Sequence, residues 1–136
     1  MRVLGVDVGT VRVGIAVSDA SGTVASPHAT LPAGDDLIDR LTDLTHDLAC
    51  ETVVVGLPRG MSGRDTASTQ MAREVAHQLT QRGLDVQLWD ERLSSAEAER
   101  VLLDAGRRRS QRRTERDRVA AAIMLQGWLD AHGRDT

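Results

Sequence analysis

Three acidic residues, Asp7, Glu91 and Asp117, lie far apart in a chain of 136 residues, and each stands where a carboxylate needs a reason. Asp7 interrupts "VLGVDV", an apolar run bound for the interior, where a carboxylate is costly unless something pairs with it or coordinates it. Glu91 closes the strand-like "LDVQLWDE", and Asp117 opens the last expected helix. Brought to one place, three carboxylates cannot all stay ionised without a cation. Mg²⁺ or Mn²⁺, hard ions that prefer oxygen ligands, would supply that charge. Two such ions about 3.5–4 Å apart activate a water and stabilise the leaving oxygen in phosphodiester hydrolysis.

The basic residues point the same way. All 17 are arginine, and seven of the twelve residues from Arg107 to Arg118 are of that type, in a chain of formal charge −3. Such a run is a solvated face in most proteins, but here the guanidiniums repel one another unless an anion neutralises them. Nucleic-acid backbone is the obvious anion, since guanidinium clamps phosphate oxygens bidentately and stays charged at any working pH. Arg12 and, in the run, Arg107, Arg108, Arg109, Arg112 and Arg113 are the candidate phosphate contacts. Binding of that kind weakens steeply with salt.

The elements that must position these side chains follow from periodicity. Residues 2–8 and 11–17 read as two strands joined at Gly9-Thr10, a hairpin signal. A third strand falls around 23–30, although Pro27 inside it argues against a regular ladder. Leu37, Leu41, Leu44 and Leu48 mark an amphipathic helix, and "ETVVVGLP" is a short strand apolar on both faces. Ala67, Met71, Val75 and Leu79 mark a second helix ended by Gly83, and "LDVQLWDE" is the fifth strand. "SSAE" at Ser94–Glu97 is a capping box opening a third helix, and a fourth runs from about Glu115 to Ala131. The order β-β-β-α-β-α-β-α-α predicts one α/β domain over 1–136, with ligands collecting beyond the carboxyl ends of the strands. The glycines Gly5 and Gly14 would let something approach the backbone beside Asp7.

"VLGVDVGTVRVGIAVSD", "VVVGLPRGMSG", "WDERLSSAEA" and "DRVAAAIMLQGWLD" resemble the successive blocks of the YqgF/RuvX family over nearly the whole chain. The resemblance implies a ribonuclease H-like mixed sheet with helices on both faces, related to Holliday-junction resolvases. It also implies a nuclease that matures the 5′ end of pre-16S ribosomal RNA, with Asp7, Glu91 and Asp117 as its catalytic, metal-binding acids. One departure is clear: the family commonly has Lys where this chain has Val11, while Arg12 is retained.

Each acid also has a plainer role open to it. Asp7 could hydrogen-bond the Gly9-Thr10 turn, and "TERD" at Thr114–Asp117 is itself a capping box that would use Asp117 at a helix start. Asp90 rivals Glu91. Trp89 and Trp128 read as core, Cys50 as packing, and His28, His46, His77 and His132 as surface residues. "DVGT" before a hairpin also resembles the phosphate loop of actin-like ATPases and sugar kinases, which need two lobes where this chain supplies one. The remaining alternatives are a resolvase acting on branched DNA and a non-catalytic RNA-binding assembly factor. A lone cysteine, no signal-like N-terminus and no run approaching the ~20 apolar residues of a membrane span predict a cytoplasmic protein away from membranes, and the sequence leaves open whether it is a monomer or a homodimer.

Overall fold

The structure, a computed structural model, describes residues 1–58, 66–91 and 109–132, and the side chains within these except those of 109–114. Five strands form one mixed sheet: β1 (Val3–Val8), β2 (Arg12–Ser18), β3 (Ala25–Pro32), β4 (Thr52–Leu57) and β5 (Val86–Asp90), in the spatial order β3-β2-β1-β4-β5. β1, β2 and β3 pair antiparallel, while β4 and β5 extend the sheet parallel to β1. The carboxyl ends of β1, β4 and β5 therefore lie on one edge of the sheet, beside the start of β2.

Local chemistry explains each element. The β1–β2 hairpin closes through the Gly9 N–H to the Arg12 carbonyl at 3.0 Å, and a side chain at Gly9 would strike that carbonyl. β3 accommodates Pro27 because it is an outer strand: the pairing shifts between Ile15 and Ala16, leaving His28 as the extra residue of a bulge. The turn into β3 is organised by Asp19, whose carboxylate accepts from the Thr23 and Val24 amides and the Ser21 hydroxyl. Those bonds hold its pKa at about 2.

Helix α1 (Leu37–Asp47) and helix α2 (Ala67–Gln81) cover one face. The expected leucine stripe is their contact, with Leu37 and Leu41 buried and Leu44 and Leu48 packed at the margin. Thr66 and Thr69 of "DTAST" cap α2 reciprocally and also bond the Pro58 carbonyl, so these hydroxyls serve the backbone. α2 ends as expected at Gly83, whose φ of +86° is accompanied by paired bonds from Gly83 to Thr80 and from Leu84 to Leu79. β4 is buried along its whole length, as a strand covered on both faces must be.

Helix α3 (Arg109–His132) covers the other face, packing Ala121, Met124, Leu125, Trp128 and Leu129 against Val3, Ala16 and Val54. Trp128 is core, as expected, with Trp89 packed beside it, and all four histidines are exposed. Cys50 is half-buried against the α1–α2 core, where burial pushes its thiol pKa up. The sheet with helices on both faces is the expected architecture. The helix expected from Ser94 to Gly106, and the loop "RGMSGRD", lie outside the described residues. The last helix already includes Arg109, well before the expected start near Glu115, because Arg, Gln and Glu are all good helix formers.

Leu41→Ala removes a fully buried side chain and is expected to cost about 2–5 kcal/mol in urea unfolding. Gly83→Ala should cost only about 1 kcal/mol, because its added carbon meets open space and only the left-handed backbone is penalised.

Candidate active site

Strand alternation sorts the acids. On β1, Leu4, Val6 and Val8 join the core under α1 and α2, so Val3, Gly5 and Asp7 face α3. Asp7 stands opposite Gly14 on β2, and the Val6–Val55 pairing puts Gly56 of β4 beside it on the other flank. A half-buried aspartate thus sits between two glycines near the carboxyl edge of the sheet.

Those glycines are occupied space. A Cβ at Gly14 would lie 1.9 Å from the Asp117 carbonyl oxygen, and one at Gly5 would lie 2.9 Å from Leu125 Cβ. What approaches the backbone beside Asp7 is therefore α3 itself, its main chain resting on β2 at Asp117. A Cβ at Gly56 would lie 2.9 Å from Glu91 Oε1 and 3.2 Å from Met124 Cγ. Glu91, the residue after β5, folds its carboxylate across Gly56 toward the strand that carries Asp7. Its rival Asp90 pairs with Leu57, whose side chain belongs to the opposite core, so alternation sends Asp90 to the α1–α2 face.

Asp117 is not the start of a helix. It lies inside α3, more than two turns beyond Arg109, so "TERD" caps nothing and the expectation of an N-terminal role is corrected. Its carboxylate has a different partner: Arg12 Nε donates to Asp117 Oδ2 at 2.7 Å, with the two side chains 31% and 24% exposed. Arg12 lies two residues before Gly14 on the same face of β2, which places the guanidinium beside the helix turn that Gly14 admits.

Asp7, Glu91 and Asp117 thus share one face and one end of the sheet. They do not converge on a point: among the described residues no three His, Cys, Asp or Glu side chains gather closely enough to hold one ion. The donor set nevertheless fits a hard divalent cation. It is all carboxylate oxygen, and the bare backbone at Gly14 and Gly56 leaves room for Asp117 and Glu91 on either side of Asp7. Of the candidate phosphate contacts, Arg109, Arg112 and Arg113 fall on the first turns of α3, and Arg107 and Arg108 lie outside the described residues.

Two features of the site were not expected from the sequence. The Arg12–Asp117 pair joins residues 105 apart and leaves no trace in any spacing. Gly56 had a readable signal, since a glycine following the β-branched run Thr52–Val55 inside a strand marks a close approach.

A family model described as RuvX, Holliday junction resolvase, matches residues 1–131. A relative from Lactococcus lactis subsp. cremoris MG1363 is 43% identical over 136 residues, covering 96% of this chain and 95% of the relative. One from Myxococcus xanthus DK1622 is 42% identical over 143 residues, covering 97% and 89%. Both carry provisional names as pre-16S rRNA nucleases. Among solved structures, Thermus thermophilus RuvC in complex with a Holliday junction substrate matches at a TM-score of 0.59 with 16% identity, covering 96% of this chain and 94% of that one. The same protein in a second structure matches at 0.58 and 17%. At that identity the likeness shows the fold, a ribonuclease H-like one.

Gly14→Ala must push the α3 backbone off β2 and is expected to cost about 1–3 kcal/mol or more, whereas at Gly56 the atoms met belong to the Glu91 and Met124 side chains rather than to backbone, so the cost should be smaller, on the order of 1 kcal/mol. Urea unfolding of the two variants checks this. Equal losses would mean that the helix does not rest on the strand at Asp117.

Proposed function

The chain belongs to the RuvX family, and on that footing we propose that it is a metal-dependent nuclease that hydrolyses phosphodiester bonds at the 5′ end of pre-16S rRNA. The observation that carries the reading is that Asp7, Glu91 and Asp117 come from β1, the end of β5 and α3, yet lie on one face at one edge of the sheet. The names of the relatives supply the substrate.

In this reading the three carboxylates hold Mg²⁺ or Mn²⁺. Bound divalent ions supply a water made acidic enough to attack at neutral pH and positive charge for the departing oxygen. The chain does the rest. Asp7, on the central strand, is the most rigidly placed acid, because hydrogen-bonded strands flank it on both sides. Glu91 reaches in over Gly56 from the end of β5. Asp117 is delivered by α3, whose position is set by Gly14. Arg12, Arg107, Arg108, Arg109, Arg112 and Arg113 grip the phosphate backbone, relieving their mutual repulsion as they do so. Val11 is exposed where the family commonly has Lys, so Arg12 carries the backbone contact there.

Residues 1–136 act as one domain, and the lone Cys50 suits a reducing cytoplasm, where a monomer or homodimer would work. Among the described residues no helix is long and apolar enough to cross a membrane. A second reading, cleavage of branched DNA, is favoured by the description of the family model as a Holliday junction resolvase.

The deciding experiment offers a precursor rRNA 5′ fragment and a four-way DNA junction to the protein with Mg²⁺, Mn²⁺ or EDTA. Cleavage of the RNA fragment is expected, abolished by EDTA and reduced about 100-fold or more by Asp7→Asn, since the ions contribute several kcal/mol to the transition state. Preferential cutting of the junction would replace the RNA reading with the second one. Binding that is equal in wild type and Asp7→Asn, with no cutting under any metal, would leave only an RNA-binding assembly factor. If at least five arginines meet phosphate, affinity should fall more than about 100-fold between 50 and 200 mM salt.

A further inference from the structure

We propose that Arg12 is a positioning residue that holds the Asp117 carboxylate away from Asp7 and Glu91 in the free protein, so that the metal site is completed only when Asp117 exchanges Arg12 for the ion. The inference rests on the assignment of these three acids as the metal-binding set, and it adds how that set is assembled.

The main chain of Asp117 cannot be adjusted, because its carbonyl occupies the space a side chain at Gly14 would fill. Gly14 is the direct partner of Asp7 across the β1–β2 ladder. Directly paired residues on neighbouring strands stand about 4.5–5.5 Å apart, so the Asp117 backbone is anchored one strand from Asp7. With the main chain held there, the partner its carboxylate takes is a matter of side-chain rotation. In the free protein that choice goes to Arg12, whose Nε donates to Oδ2 at 2.7 Å.

The pair is suited to exchange. Both side chains are partly exposed, and ion pairs in that setting are weak compared with buried ones. Arg12 begins β2 at the carboxyl edge of the sheet, next to exposed Val11, where a phosphate of the substrate can take the same guanidinium edge that Asp117 uses. An arginine that merely braced a metal ligand would need to keep its bond in the loaded state. One that restrains the ligand must give it up.

The two roles predict opposite changes in metal affinity. Mn²⁺ binding to the free, full-length protein is measured by isothermal titration calorimetry for wild type, Arg12→Gln, Asp117→Asn and the double variant, with thermal melting as the check on folding. Arg12→Gln is expected to bind Mn²⁺ about tenfold more tightly than wild type. That gain should vanish in the Asp117→Asn background, where there is no carboxylate to release. Arg12→Met, which keeps the aliphatic stem, makes the same comparison should the glutamine variant fail to fold. Affinity unchanged or lower in Arg12→Gln would overturn the proposal in favour of a bracing role. An equal gain in both backgrounds would overturn it too, since Arg12 would then act only through its charge. In either of those cases wild type still binds Mn²⁺ and the three-acid assignment stands. Mn²⁺ binding by none of the proteins would overturn the assignment, and the proposal with it.

Discussion

The molecule depends on one steric constraint: a helix backbone lies directly on a strand backbone. At Gly14 no side chain of any size is compatible with the Asp117 carbonyl. Gly5 extends the same bare surface under Leu125, and Gly56 extends it under Met124 and Glu91. These contacts let α3 settle closer to the sheet than a side-chain layer would allow. That closeness puts an acid carried by a helix within reach of acids carried by strands. The α1–α2 face is built differently, from interdigitating Leu, Val and Ile.

The same closeness sets the electrostatics. Carboxylates brought toward one sheet edge raise one another's energy, and the molecule meets that in two ways. Asp117 is neutralised by Arg12 from the adjacent strand. Asp90, one residue from Glu91, is sent to the other face by strand alternation, so it adds no charge to this one. The arginine run along the start of α3 adds a second pool of positive charge on the same helix that delivers Asp117.

Much of the fold was legible in the residues. Period-two alternation marked β1 and β2 to within a residue, and the leucine stripe of α1 and the apolar run of β4 were equally clear. Pro27 weakened the reading of β3, because an outer strand with a bulge tolerates proline and pattern alone does not say which strands are outer. The start of α3 was misplaced by several residues. A polar, arginine-rich stretch shows no apolar face, and without one, periodicity is silent even where helix propensity is high. "TERD" looked like a cap for the same reason: capping residues are recognisable, but not whether the chain before them is already helical.

The sequence by itself determined the acids, the arginine excess and the alternation that turns Asp7 toward one face and Asp90 toward the other, because side-chain direction in a strand is a local property. Tertiary structure alone decided that Asp117 stands over Gly14, the ladder partner of Asp7, and is held by Arg12. That contact joins residues 105 positions apart and exists only because a helix docks on a glycine of a neighbouring strand. Spacing along a chain carries no record of such a meeting. The physical reason is that docking depends on the summed packing of the whole α3 face against the sheet, and no single residue of either partner encodes it.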